Sequence, residues 1–328
     1  MDNPRRWPIV AATVVFIALG IGVAWGLRGK FSAKPLVLPA PPPSIPVLVE
    51  VPVATNEIPR NDKTNRTERT DEAATAGLTS RVQVAISPAV PLAKDAEGLL
   101  EAGRKDKARE QFLSALAANP EDSLRVRIED QLGLLNVELI RHPWPMPEKQ
   151  DVVVQEGDSV KAIARKFGTT VDLIVKGNEL KRPDVIRPGQ HLKVFSGKME
   201  IRVSKARNDL LLTAGGRFFK RYRVGTGRYD KTPVGSFVVT ERISEPPWWR
   251  DDGRTVPFGD KENILGTRWM AIKATGTTPE IKGYGIHGTW DTNSIGKAES
   301  AGCIRLKNDD VEELFELIPI GTPVVIEE

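Results

Sequence analysis

One cysteine, Cys303, occurs among 328 residues. That count excludes an intramolecular disulfide framework and any site assembled from several thiolates. Histidine is nearly as scarce. His142, His191 and His287 fall in separate stretches of the chain, too few and too dispersed beside one thiol for a zinc site. Neither a metal nor another cofactor is expected. Aromatic residues make up 6% of the sequence, and no block of Lys and Arg is interleaved with them, so a nucleic-acid partner is not expected either. The C-terminal third lacks an excess of either charge: residues 200–328 hold 19 Lys+Arg against 19 Asp+Glu. The net charge of +4 for the whole chain suits an anionic polymer without demanding one.

Long apolar runs are absent apart from one. Ile9 to Leu27, "IVAATVVFIALGIGVAWGL", is uncharged and long enough to span a bilayer core as a helix. It exceeds the usual apolar region of a cleaved signal peptide, so residues 1–30 read as a short tail and a membrane anchor. Gly22 and Ala24 form a small-x-small site that leaves cleavage open. Arg28, Lys30 and Lys34 balance Arg5 and Arg6, so charge does not fix the orientation. Residues 31–93 read as a linker, with eight prolines between positions 31 and 60 and a polar stretch "TNEIPRNDKTNRTERTDE" after them. Such a segment buries too little apolar surface to fold. Extended at about 3.1 Å per residue, it reaches on the order of 100–200 Å.

Residues 94–142 are predicted to be helical. Ala108, Phe112, Ala115 and Leu116 follow helical spacing up to Asn119-Pro120, and Leu124, Ile128, Leu132, Leu135 and Leu139 continue it in a second helix. "AEGLLEAGRKDKAREQFLSALAANPED" resembles a single tetratricopeptide-type helical pair, but no 34-residue repetition accompanies it. A lone unit reads as a packing element or spacer, with its protein partner unspecified.

Residues 150–196 form a compact strand–helix–helix–strand unit. "DVVVQ" reads as a strand, and Val160, Ile163, Ala164 and Phe167 share one helix face that ends at Gly168. Thr170 can cap a second short helix, and "IRPGQHLKVF" is a Pro-Gly turn leading to a strand. "VVVQEGDSVKAIARKFGTTVDLIVKGNEL" together with "IRPGQHLKV" resembles the LysM module over its whole length. The resemblance implies binding of N-acetylglucosamine-containing glycan, chiefly peptidoglycan.

Residues 199–328 turn to short strands separated by Gly-rich and Asn-Asp turns, the pattern of a mainly-β domain. Near the end Asp309 and Glu312 suit a capping box, and Val311, Leu314, Phe315 and Ile318 follow at core spacing. The fold expected for the whole chain is multidomain: a β-sandwich-like domain, a small βααβ module and an α-helical hairpin. Within the β-domain, "IHGTWDTNSIGKAESAGCIRL" holds both His287 and Cys303. A lone cysteine is often a small buried hydrophobe, and composition alone favours that reading. A histidine within reach can instead take the thiol proton and activate it. Sixteen residues apart, the two can meet only from neighbouring strands or their loops. Ala301 and Gly302 are small enough to admit a substrate backbone, and the N–H groups of Ala301, Gly302 and Cys303 could form an oxyanion hole. Arg305, two residues on along a strand, would face the same side as Cys303. It could pair with a substrate carboxylate or with a neighbouring acid.

"IHGT" and "SAGCIRL", with "TPVGSF", "PPWW", "ENILGTRWM" and "IGTPVVI", resemble the L,D-transpeptidase catalytic domain of the YkuD type. The resemblance implies that Cys303 is the nucleophile, that His287 is its base, and that the Gly288 carbonyl orients the imidazole. Ser300 and Arg305 occupy the family's Ser and Arg positions beside the thiol, and Thr289 completes the His-Gly-Thr element. Many relatives carry a histidine where this chain has Ala301. Trp248 can line a substrate groove or belong to an aromatic core. The implied reaction is attack on a stem tetrapeptide after its third residue, release of D-alanine and transfer of the acyl group to an amine of another stem. Transfer to water would give an L,D-carboxypeptidase, and a cysteine endopeptidase or an inert wall-binding scaffold are the other readings. The implied setting is the cell envelope, with the chain anchored to the cytoplasmic membrane and its catalytic domain in the periplasm or wall.

Overall fold

The computed structural model describes residues 87–250 and 252–328. The expected anchor and most of the expected linker lie outside the described residues. Among the described residues no helix is long and apolar enough to cross a membrane.

Three helices open this part: α1 (Ala89–Glu101), α2 (Lys105–Ala117) and α3 (Asp122–Arg141). Sequence periodicity predicts only the latter two, and α1 begins inside the stretch read as linker. α1 buries Ala89, Ala93 and Ala96, a stripe of small side chains that lets α2 approach closely, and packs Leu92, Leu99 and Leu100 against the core. α2 buries Ala108, Phe112 and Ala115, and the chain then turns at Asn119, whose φ is +53°, and Pro120. α3 buries Leu124, Ile128, Leu132, Leu135 and Leu139 along one side, which gives the expected 3.6-residue period.

After α3 comes the small module: β1 (Lys149–Val153), α4 (Val160–Phe167), α5 (Val171–Gly177) and β2 (His191–Phe195). β1 and β2 pair antiparallel, from Lys149 opposite Phe195 to Val153 opposite His191. Ser159 caps α4 by accepting from Ala162 N–H at 3.2 Å, and Gly168 ends it in the left-handed conformation at φ 63°. Thr170 caps α5 by accepting from Leu173 N–H at 3.1 Å. A separate core of Val154, Val160, Ile163, Ile174, Leu192 and Val194 holds the unit together.

The remaining strands are β3 (Met199–Ser204), β4 (Asp209–Ala214), β5 (Arg217–Arg223), β6 (Thr226–Gly227), β7 (Gly235–Ser244), β8 (Trp248–Trp249), β9 (Thr255–Val256), β10 (Arg268–Ala274), β11 (Gly285–Thr289), β12 (Ala298–Ser300), β13 (Ile304–Lys307) and β14 (Pro323–Glu327). One helix, α6 (Asn308–Leu317), joins β13 to β14. Eight strands form one mixed sheet in the order β13-β11-β10-β7-β14-β3-β4-β5. The β11–β13 and β14–β3 pairs are parallel. Alternation is legible in β3, where Met199, Ile201 and Val203 are buried between exposed Glu200 and Arg202. Just beyond β5, Gly225 and Arg305 exchange N–H···O bonds of 2.8 and 2.9 Å. This bridge ties the chain leaving one edge strand to β13 at the other edge, so the sheet curls almost closed. α6 packs Val311, Leu314 and Leu317 into the core. The expected capping box does not form: α6 starts at Asn308, and its N-cap, Lys307, makes no side-chain cap bond.

The helical segment spends its apolar side on this sheet. Phe112, Leu132 and Leu139 share one core with Ile201, Leu212 and Phe219. Polar anchors are buried with it. Asn136 donates from Nδ2 to the Phe219 carbonyl at 2.8 Å and accepts from Arg109 Nε at 2.6 Å, and Arg109 Nη2 reaches Glu148 at 2.8 Å. Such buried polar groups are stable only when paired, which fixes the register of helix on sheet. α6 is tied to the small module through Glu316, whose carboxylate meets Arg141 at 2.9 Å and Lys176 at 2.5 Å while its carbonyl accepts from Thr170 Oγ1 at 2.6 Å. The helices, the small module and the β-domain therefore pack as one body from Ala89 to Glu327.

Candidate active site

β11 and β13 run parallel, with Ile286 opposite Ile304 and His287 opposite Arg305. Cys303 stands one position before β13. Alternation along a strand puts Cys303 and Arg305 on the same face, and register adds His287 to that face. Two residues along and one strand across set the Cys303 and His287 Cα atoms about 8 Å apart by ordinary strand spacing, within side-chain reach. Parallel pairing thus brings together the two residues that sequence separates by sixteen positions.

His287 is buried, and its Nδ1 lies 2.6 Å from the Gly288 carbonyl oxygen. A carbonyl can only accept, so Nδ1 carries the proton and Nε2 keeps its lone pair for a substrate or thiol proton. Gly288 has to be glycine on the other side too, because a Cβ there would overlap Asn308 Oδ1. Asn308 in turn accepts from Thr267 N–H at 3.2 Å. Trp269, opposite His287 in the β10–β11 ladder, holds its ring 5.8 Å from the imidazole centroid, and Gly285 leaves room for that ring. Trp269 and Asn308 escape sequence reasoning because their contacts are long-range. Their only trace is membership of "ENILGTRWM" and the residues just after "SAGCIRL".

The cysteine turn is pinned from within. Ser300 is buried, donates from Oγ to the Cys303 carbonyl at 2.6 Å and accepts from Gly302 N–H at 3.0 Å. Gly302 sits at φ +139°, where a Cβ would come within 2.6 Å of the Tyr284 ring. This corrects one expectation. The Gly302 N–H is engaged by Ser300 and is not available to an oxyanion. Among the described residues the Ala301 and Cys303 N–H groups donate to no protein acceptor, which leaves those two of the three predicted donors open. The thiol itself is partly exposed and points its proton at the Gly283 carbonyl, 3.5 Å away.

Burial lowers the His287 pKa to about 4; the Arg305 guanidinium adds to the lowering, while the Gly288 and Leu265 carbonyls oppose it. Burial pushes the Cys303 thiol up, opposed by the Gly285 backbone and Arg305. The two shifts point the same way: the resting pair is neutral thiol and neutral imidazole, not thiolate and imidazolium. Alkylation of Cys303 by iodoacetamide should therefore rise roughly tenfold per pH unit from pH 6 to 8. A plateau near pH 6 would instead reveal a preformed ion pair.

The other predicted residues fall around this pair. Arg305 has a buried Nε with no hydrogen-bond partner among the described residues. Thr289 is buried, and its hydroxyl accepts from Asp291 N–H at 3.1 Å, supporting the turn after β11. Trp248 is half-buried on the β8–β9 ribbon, with the Arg250 guanidinium 4.9 Å from its ring centroid. The ribbon is sewn down by Asn263, which donates to the Pro246 and Val256 carbonyls at 3.0 and 3.2 Å, two residues before the Leu265 that faces His287. Among the described residues no cluster of three or more His, Cys, Asp or Glu side chains is placed to hold a metal ion.

Comparison with known proteins matches residues 198–326 to the L,D-transpeptidase catalytic domain (YkuD) and residues 152–195 to the LysM domain. The chain is 42% identical over 125 residues to the putative L,D-transpeptidase YqjB of Bacillus subtilis, spanning 38% of this chain and 68% of the relative. It is 30% identical over 180 residues to the putative L,D-transpeptidase YkuD of the same organism, spanning 53% of this chain and 96% of the relative. With a thiol and a tautomer-locked imidazole on one sheet face, inside the matched region, the chain belongs to the YkuD family of L,D-transpeptidases and carries a LysM domain.

Proposed function

We propose that this chain is a peptidoglycan L,D-transpeptidase in which Cys303 is the nucleophile and His287 its base. Cys303 Sγ attacks the carbonyl carbon of the third stem residue as His287 Nε2 takes the thiol proton. The carbonyl oxygen, now negative, is held by the Cys303 and Ala301 N–H groups. The C–N bond breaks, His287 returns the proton to the departing amine of D-alanine, and the acyl group stays on sulfur as a thioester. An amine of a second stem then attacks the thioester, loses its proton to His287, and leaves as a 3→3 cross-link with the thiol restored. Arg305, with an unpaired Nε beside the thiol, serves the donor's terminal carboxylate. The observation that carries this reading is the β11–β13 register, which sets Cys303 and His287 on one face with Nδ1 already occupied.

Incubating the protein with purified disaccharide-tetrapeptide and weighing the products tests it. Cross-linked dimers are expected. Tripeptide monomers alone would make the protein an L,D-carboxypeptidase, and cleavage of cross-linked material alone an endopeptidase. Unchanged substrate with the thiol intact would leave only the scaffold reading.

The LysM domain suits a wall enzyme, and we extend the proposal to a membrane tether formed by Ile9–Leu27 and the proline-rich linker, with the catalytic domain on the outer side where peptidoglycan lies. The motivation is the length of that apolar run. Protease added to intact spheroplasts should remove the catalytic domain, whereas protection of the domain would contradict this topology.

A further inference from the structure

Thr232 belongs to the "TPVGSF" motif, stands 70 residues before Gly302 and is buried. Its hydroxyl makes two bonds. Oγ1 donates to the Gly302 carbonyl at 2.8 Å and accepts from Gly227 N–H at 2.7 Å. Gly227 is built for this closeness: a Cβ there would lie 2.7 Å from Thr232 N and 2.9 Å from Gly302 Cα. With one hydrogen bond accepted and its proton given away, the hydroxyl has a single orientation.

A trans peptide bond points its C=O and N–H in opposite directions. The carbonyl of Gly302 and the N–H of Cys303 belong to the same peptide plane. By holding that carbonyl inward, Thr232 turns the Cys303 N–H outward, away from the protein wall. The neighbouring Gly302 N–H is already held by Ser300, so of these two adjacent donors it is that of Cys303 that is free to face the reacting carbonyl. We infer that Thr232 is a positioning residue for the oxyanion hole, acting through the Gly302–Cys303 peptide rather than by touching substrate. The left-handed φ of +139° at Gly302 is the conformation that this grip maintains.

The test compares two small probes on the full-length protein, neither of them a cell-wall peptide, so its outcome does not depend on the proposed substrate. Iodoacetamide alkylates Cys303 by displacement at carbon and develops no oxyanion. p-Nitrophenyl acetate acylates Cys303 through a tetrahedral oxyanion: the S–C bond forms, the C–O bond breaks, nitrophenolate leaves and His287 accepts the thiol proton. In Thr232→Val, acylation should slow by about 10- to 100-fold, the range below or at the loss of one oxyanion donor. Alkylation should stay within about twofold, because the thiol and its base are untouched by the grip. Thr232→Ser, which keeps the hydroxyl, should recover most of the acylation rate. Thr232→Ala is measured alongside in case valine distorts the turn, and the same change in ratio is expected. If both probes slow together in Thr232→Val and Thr232→Ala, or if neither slows, or if Thr232→Ser behaves as Thr232→Val does, the assignment is wrong.

Discussion

Cys303→Ala should remove both cross-linked dimer and tripeptide product, a fall of roughly 10⁵-fold or more of the kind seen when a nucleophile is deleted. No other thiol can substitute, because the chain has one cysteine. The loss will be chemical rather than structural. Cys303 is partly exposed, and its thiol donates one long hydrogen bond, to the Gly283 carbonyl. Truncating it creates no core cavity, so the thermal midpoint should move by no more than a few degrees for a change of about 1 kcal/mol. A Cys303→Ala protein that still turns over disaccharide-tetrapeptide would overturn the thioester mechanism.

His287→Gln should lower kcat by about 10²- to 10⁴-fold, since it removes the group that takes and returns the proton. The same variant has a second signature, in stability. The folded protein holds His287 at a pKa of about 4, against an ordinary value of 6.5. Above pH 6.5 the imidazole is neutral in both states and contributes no pH dependence. As pH falls from 6.5 towards 4, the unfolded chain takes up a proton that the folded site refuses, and stability is lost. The full loss is about 3 kcal/mol at pH 4 and below, from 1.36 kcal/mol for each pH unit between the two values. Urea denaturation at a series of pH values should show this loss in the wild type and its absence in His287→Gln. Parallel curves for the two proteins would mean that the imidazole is not held neutral by burial.

The proposed catalytic pair is legible through its motif context. "IHGT" and "SAGC" carry a histidine and a thiol each with a glycine beside it, and β-strand alternation predicts that Arg305 shares the side of Cys303. The LysM caps at Thr170 and Gly168 follow from rules that span three or four residues. What sequence did not disclose is carried by contacts across long separations. Asn136 bonds to a carbonyl 83 residues away and Thr232 to one 70 residues away, and no periodicity announces either. Only the first turn of α1 falls in the stretch read as linker; its later residues belong to the helical segment expected from position 94. Gly302 N–H drops out of the expected oxyanion hole because the Ser300 hydroxyl accepts from it first. The capping box at Asp309 and Glu312 does not form because the N-cap lies two residues earlier, at Lys307, with Asn308 drawn into the helix while its side chain serves Thr267.

Docking of the helical segment gives its polar residues a purpose that the resemblance to a tetratricopeptide pair did not suggest. Arg109, Asn136 and Glu129 face inward to the β-domain, with Glu129 accepting from Arg221 at 2.6 and 3.0 Å. The segment's partner is the sheet of its own chain. LysM is likewise fastened through Glu316 to the helix whose first residue, Asn308, abuts Gly288.

The most direct measurement is the mass of the intact protein during turnover. Mixed with disaccharide-tetrapeptide and quenched in acid within the first turnover, the wild type should gain the mass of the disaccharide-tripeptide acyl group, with D-alanine lost. Peptide mapping should place the adduct on Cys303, and neutral hydroxylamine should remove it as expected for a thioester. An unmodified protein accompanied by product, or an adduct on any residue other than Cys303, would contradict the account.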